Sequence, residues 1–234
     1  MADETILDSN SPQLEQTVLD SESLTEQNPL SIKTFHDRQV VKEFAAMGAE
    51  ADTYLLEDGT QQYFLKLYRK GVGVNEQVLQ KITELSNTYP YFAKLIESGF
   101  DEDLQRFYEV SEYISSSDLE NTTKEQLELR ALIIALNEAL KLLHDNNIIH
   151  RDLKPNNILI RQTAPLEIAL IDFGISSVIR EDMSKVLTSL KGTYAYTAPE
   201  VMSGYIGKEV DYWALGMIVL EHIGANPLPV LIMR

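Results

Sequence analysis

Two dominant textures divide this chain. Between Val40 and Ile114, β-branched and aromatic residues come in short runs separated by turn signals. From Lys124 to Leu143 the period changes: Leu129, Leu132, Ile133, Leu136, Leu140 and Leu143 recur along one helical stripe. A segment written with a period of two cannot bury the same face as one written with a period near 3.6. Strands gathered first and helices gathered afterwards predict an α+β fold with two lobes of different composition. The boundary is expected near Ser115, where Ser115-Ser116-Ser117 breaks the pattern, and no internal repeat is evident.

The strand-rich part can be read more finely. Val40, Val41 and Phe44, then Thr53 to Leu56, predict strands bracketing a turn around Gly48. Asp58-Gly59 is a hairpin signal, with Tyr63 to Tyr68 as the returning strand. In that strand Tyr63, Leu65 and Leu67 share one face, while Phe64, Lys66 and Tyr68 share the other. Asn75 caps a helix carrying Val78, Leu79, Ile82 and Leu85 at helical spacing, and residues 107–114 predict a further strand. Beyond the long helix, which Asp145-Asn146-Asn147 ends, come short strands at Ile158 to Ile160 and Ile168 to Ile171. A last apolar helix spans roughly Tyr212 to His222.

Charge enters the argument because it is uneven. Of 234 residues, 36 are acidic and 20 basic, a net charge of −16. Seven of the acids fall in residues 1–30, which hold no Lys or Arg and only scattered Ile, Leu and Val. Residues 1–37 are therefore expected to be an acidic disordered tail, too poor in apolar surface to offset the entropy of ordering. The acidity argues against nucleic-acid or anionic-lipid binding, and apolar runs such as Ala214 to Leu220 are too short to span a bilayer. The absence of cysteine excludes disulfide frameworks and thiolate chemistry. With no signal-peptide pattern at the N-terminus, the expected location is cytoplasmic. His36, His144 and His222 lack the spacing of a metal site, and His144 reads as a packing or capping residue.

Chemistry concentrates in three polar segments. His150-Arg151-Asp152-Leu153-Lys154-Pro155-Asn156-Asn157 lies between the long helix and the short strands; Asp172-Phe173-Gly174 follows, then Gly192-Thr193-Tyr194-Ala195-Tyr196-Thr197-Ala198-Pro199-Glu200. Together they offer a carboxylate able to orient a hydroxyl, hard oxygens for a divalent cation, and cations against negative charge. Asp152 suits the first task, Asn157 and Asp172 the second, and Lys154 the third. Lys66, centred in an otherwise apolar strand, is costly unless its charge is paired.

These segments, in this order, resemble the eukaryotic-like serine/threonine protein kinase family from about Val40 to the C-terminus. The resemblance implies a bilobal fold with a small β-rich N-lobe (38–114) and a mainly helical C-lobe (115–234). It also implies ATP and Mg²⁺ as cofactors and a protein substrate. In this likeness Asp152 is the catalytic base, Lys154 and Thr193 stand beside it, and Asn157 and Asp172 are metal ligands. Asp211 braces the catalytic loop, Lys66 holds the α- and β-phosphates, and a helix glutamate pairs with Lys66. Glu76, about 60° around the helix from Leu79, is the expected partner, whereas Glu84 lies opposite Ile82. Gly48 and Thr53 belong to a degenerate glycine-rich loop, whose Glu50 and Asp52 add acids near the phosphates. Backbone groups of Glu112 and Ile114 would meet adenine, with Ser111 as a small gatekeeper. Arg151 would clamp a phosphate on the activation loop, where Thr188 and Ser189 are the expected acceptors. The likeness also implies that the C-lobe lacks its last helices, so that the chain is a fragment, a natural short form, or a module completed by a partner. Two other functions stay open: a pseudokinase scaffold, given the degenerate loop and incomplete C-lobe, and a small-molecule phosphotransferase.

Overall fold

The computed structural model describes residues 32–45, 50–122, 125, 127–179, 186–187 and 193–225. Six antiparallel strands form the first part: β1 (Thr34–Phe35), β2 (Arg38–Glu43), β3 (Ala51–Glu57), β4 (Gln62–Tyr68), β5 (Leu95–Asp101) and β6 (Arg106–Glu112), in the order β1-β2-β3-β4-β6-β5. The expected hairpin joins β3 to β4. Asp58 Oδ1 accepts the N–H groups of Thr60 and Gln61, each at 3.0 Å, and Gly59 takes a φ of +87° that favours glycine. The predicted alternation in β4 is present, with Tyr63, Leu65 and Leu67 buried and Lys66 half-buried.

Two features differ from expectation. Thr34 and Phe35, assigned to the tail, form a strand, and the Phe35 ring is buried against Tyr108. One aromatic in a polar stretch suffices here because a sheet edge and a ring lie ready to receive it. Strand β5 gave no sequence signal because its outward residues include Ile96 and Phe100, both exposed, so apolar and polar positions do not alternate cleanly.

Helix α1 (Glu76–Thr88) follows β4, with Asn75 as its cap accepting from the Val78 N–H. It buries Val78, Leu79, Ile82 and Leu85. Helix α2 (Leu129–Asp145) begins at the first residue of its stripe rather than at Lys124, because Glu128 is extended. Its Leu132, Leu136, Leu140 and Leu143 are fully buried in a cluster that also takes Val78 and Ile82 of α1. The chain then passes through β7 (Ile148–Ile149), a loop with the 3₁₀ turn Pro155–Asn157, and the hairpin β8 (Ile158–Thr163) and β9 (Leu166–Leu170). Short pairs follow: β10 (Ser177–Val178) on β7, and β11 (Val186–Leu187) on β12 (Tyr205–Ile206). Helix α3 (Glu209–His222) buries Val210, Asp211, Ala214, Met217 and Ile218. Among the described residues no helix is long and apolar enough to cross a membrane.

Candidate active site

The loop between β7 and β8 is shaped from beneath by one buried carboxylate. Asp211, in the first turn of α3, is 1% exposed and accepts three hydrogen bonds at 2.9 Å. The donors are the backbone N–H groups of His150 and Arg151 and His144 Nε2, so Asp211 braces the loop as expected. His144 is thus a buried packing residue that donates to Asp211. A buried carboxylate without such donors would be strongly unfavourable. Arg151 leaves this brace with a φ of +73°, a conformation that non-glycine residues adopt only where their surroundings impose it.

The turn so formed presents Asp152. Its Oδ1 accepts from Thr193 N (3.0 Å) and Thr193 Oγ1 (2.8 Å), and its Oδ2 from Lys154 Nζ (2.7 Å) and Asn157 Nδ2 (3.2 Å). Lys154 Nζ also reaches Thr193 Oγ1 at 3.0 Å, and Asn157 Nδ2 reaches the Asp152 carbonyl at 2.8 Å. Pro155 opens the 3₁₀ turn that delivers Asn157. Three residues named from the sequence thus converge on the Asp152 carboxylate. Because Asn157 spends its amide nitrogen on Asp152, its amide oxygen is left for a cation.

The sheet supplies the other half. Register pairs Thr53 of β3 with Lys66 of β4, and Lys66 with Glu109 of β6. Directly opposite residues point to the same face, so these three form a row. Lys66 Nζ donates to Asp172 Oδ1 at 2.5 Å, and Gly174 N donates to the same oxygen at 3.3 Å. Tyr68, two residues along the same face, donates its hydroxyl to Glu109 Oε1 and lies 5.1 Å from Lys66 Nζ at its ring centre. A Cβ at residue 174 would lie 3.1 Å from Lys66 Nζ and 3.2 Å from the Tyr68 hydroxyl, so glycine permits this approach. Phe173 is buried on Phe92 and His150.

Electrostatics follow from this arrangement. Loss of water pushes the Lys66 ammonium down, but Asp172 and Glu109 outweigh it and hold Lys66 above its usual value. Desolvation opposes ionisation of Asp172 too, and the Lys66 charge and hydrogen bond bring it below the usual carboxylate range. Glu109 goes the other way: desolvation raises it by more than Lys66 and Tyr68 lower it.

Lys66 does not pair with Glu76, the partner expected from the sequence. The inward face of α1 carries Val78 and Leu79, while Glu76 is exposed and lines an open cavity of ≈ 580 Å³ with Arg151, Gly174 and Ser177. Helical spacing ranked the glutamates of α1 but was silent about a carboxylate on another strand. Asp52 is also placed differently. It alternates away from Thr53 and pairs with the buried Arg106 guanidinium at 2.5 Å, so its charge is neutralised on the far side of the strand.

At the end of β6, Ser111 stands opposite Phe64, a small residue beside a large ring that also packs on Phe44. The Glu112 carboxylate is gripped by Arg161 at 2.5 and 3.1 Å and by the Lys94 N–H at 2.7 Å. Ile114 lies just past the strand and is half-buried. Arg151 Nη1 donates to Ile175 O and Ser177 Oγ, each at 3.0 Å. Gly48, Thr188 and Ser189 lie outside the described residues, as do residues 1–31 of the expected tail. Sequence reasoning missed Tyr68, Glu109, Arg106 and Arg161. Their only signal was the pairing register, since all four are polar residues within strands.

Among the described residues no group of three or more His, Cys, Asp or Glu is placed so as to hold a metal ion. The oxygens of Asn157 and Asp172 fit a hard cation that takes its remaining ligands from phosphate and water. The Thr53 hydroxyl, buried without a partner among the described residues, offers a polar group to a ligand under the sheet.

The family model for the protein kinase domain matches residues 80–230. The chain is 38% identical over 133 residues to the bovine (Bos taurus) phosphorylase b kinase gamma catalytic chain, liver/testis isoform, covering 53% of this chain and 30% of that one. It is 34% identical over 172 residues to the serine/threonine-protein kinase ppk23 of Schizosaccharomyces pombe, covering 70% of this chain and 42% of the relative. Myosin light chain kinase A of Dictyostelium discoideum is 32% identical over 196 residues, covering 76% and 63%. The chain thus spans between 30% and 63% of the length of these relatives. The solved structure of the Cydia pomonella granulovirus kinase shares the fold, with a TM-score of 0.67 at 24% identity over 80% of this chain and 69% of that one. With its motifs, its α+β architecture and the matched domain in agreement, the chain belongs to the protein kinase family.

Proposed function

We propose that the protein is a serine/threonine protein kinase that transfers the γ-phosphoryl group of ATP to a protein hydroxyl. The observation that carries this reading is the Asp152 carboxylate, held on both oxygens by Thr193, Lys154 and Asn157. A carboxylate so oriented can accept the proton of an incoming hydroxyl as its oxygen bonds to phosphorus and the bond to the ADP leaving group breaks. Lys154, already within reach of both Asp152 and Thr193, places a positive charge where the transferred group carries negative charge. Lys66 offers a cation to the remaining phosphates. Asn157 and Asp172 would hold Mg²⁺, which neutralises phosphate charge when bound. Thr53, Ser111 and the backbone at Glu112 and Ile114 are assigned to the nucleotide base.

The Ser/Thr specificity rests on the mutual contact of Lys154 and Thr193, which closes the space around the base to suit a short alcohol. Transfer of labelled γ-phosphate from Mg-ATP to a generic protein, followed by phosphoamino-acid analysis, tests the reading. The expected result is label on Ser or Thr that disappears in Asp152→Asn. Nucleotide binding without Asp152-dependent transfer would establish a scaffold instead, and label on a sugar or aminoglycoside but on no protein would establish a small-molecule phosphotransferase.

A further inference from the structure

Lys66 needs a carboxylate that has no second duty. Its closest partner, Asp172, is also assigned to Mg²⁺ above, so one side chain is asked to serve two cations. Glu76 does not supply the alternative, since it is exposed on α1 and the residues that α1 turns inward are apolar.

We infer that Glu109, steadied by the Tyr68 hydroxyl, is the residue that positions Lys66 for nucleotide binding. This rests on the kinase reading of the same site. The geometry comes from the sheet itself: Glu109 of β6 stands directly opposite Lys66 of β4, a cross-strand pair of opposite charge on one face. Tyr68, 1% exposed, spans the two. Its hydroxyl donates to Glu109 Oε1, and its ring lies beside the Lys66 ammonium. The carboxylate is therefore tied to a rigid ring on the same strand as the lysine it faces. Gly174 completes the arrangement, because a side chain there would press on both Lys66 Nζ and the Tyr68 hydroxyl. A strand-borne carboxylate has a consequence that a helix-borne one lacks. The Lys66–Glu109 register is set by ladder hydrogen bonds, so Lys66 stays placed however α1 moves. The Lys66 site is thus in place before any rearrangement of α1.

The test is a double-mutant cycle on the full chain with Lys66→Met and Glu109→Gln, read by two measurements. The unfolding midpoint of the nucleotide-free chain reports whether the residues interact, whatever the protein catalyses. The expected result is that the double variant is destabilised by less than the sum of the single variants. Affinity for Mg-ATP, measured by titration calorimetry, reports the consequence: Glu109→Gln binds about tenfold more weakly. Glu76→Gln stays within about twofold of the unsubstituted chain. Strict additivity of the midpoints overturns the inference, because Glu109 then acts independently of Lys66. So does unchanged ATP affinity in Glu109→Gln, or a loss in Glu76→Gln equal to it. Coupled midpoints in a chain that binds no ATP would uphold the Lys66–Glu109 anchor and overturn the kinase reading instead. Should Glu109→Gln fail to fold, Tyr68→Phe in the same cycle carries the test, and it is expected to couple to Lys66→Met in the same direction.

Discussion

The two halves of the site are built in opposite ways. Around Asp152, the carboxylate and two of its donors, Lys154 and Asn157, lie within one short loop, and Asp211 fixes that loop through its backbone. Around Lys66, the partners come from β6 and from the segment after β9, and only sheet register and one glycine bring them together. The first half is a local constellation resting on a buried brace. The second is a long-range one made by strand pairing. Loss of the Asp152 carboxylate should therefore disable transfer while sparing the nucleotide, and changes around Lys66 should weaken the nucleotide's binding.

The largest effect is expected at Asp152. In Asp152→Asn, turnover should fall by about a thousandfold with a folded chain, the range expected for loss of a general base. Steady-state phosphorylation beside circular dichroism checks this. Next comes the brace. Asp211→Ala leaves two backbone N–H groups and His144 without their acceptor, and should cost about 3 kcal/mol of stability with a matching loss of turnover. Urea unfolding measures the first quantity, and an unchanged midpoint would remove Asp211 from the account.

Legibility from sequence followed the same division. Asp152, Lys154, Asn157 and Thr193 could be read because three ordered segments carried them, and Asp211 because the family likeness placed it. The hairpin at Asp58-Gly59 and the Asn75 cap were equally readable, since each depends on neighbours a few residues away. The partner of Lys66 was not. Helical periodicity can rank the glutamates of α1 but holds no information on which residue of β6 faces β4. Likewise Asp52 looked like a charge beside the phosphates until strand alternation and Arg106 took it to the other side. Strand β5 and the start of the folded body at Thr34–Phe35 escaped because their apolar residues are few or outward-facing.

Smaller effects sharpen the second half. Gly174→Ala should weaken Mg-ATP binding about fivefold, because its methyl group pushes on Lys66 and Tyr68 rather than on Asp152. Peptide KM should be unaffected, and a change in peptide KM alone would place Gly174 in the wrong half. The smallest effect is a pH dependence. Burial, the Glu109 charge and the hydrogen bond to Glu109 hold the Tyr68 phenol well above its usual value. The folded state thus favours the neutral phenol. Its contribution to stability is complete below the unfolded value near 10 and is lost as pH rises beyond it. Between about pH 9.5 and pH 11.5 the unfolding midpoint should fall, and fall less steeply in Tyr68→Phe. Equal slopes would detach Tyr68 from Glu109.

The central claim is that Asp152 performs transfer and the sheet face holds the nucleotide. Its most direct test is turnover and Mg-ATP affinity measured together on the unsubstituted chain and on Asp152→Asn. The account predicts loss of about a thousandfold in turnover with affinity held within about twofold. Transfer that survives the substitution, or an affinity that collapses with it, would contradict the account.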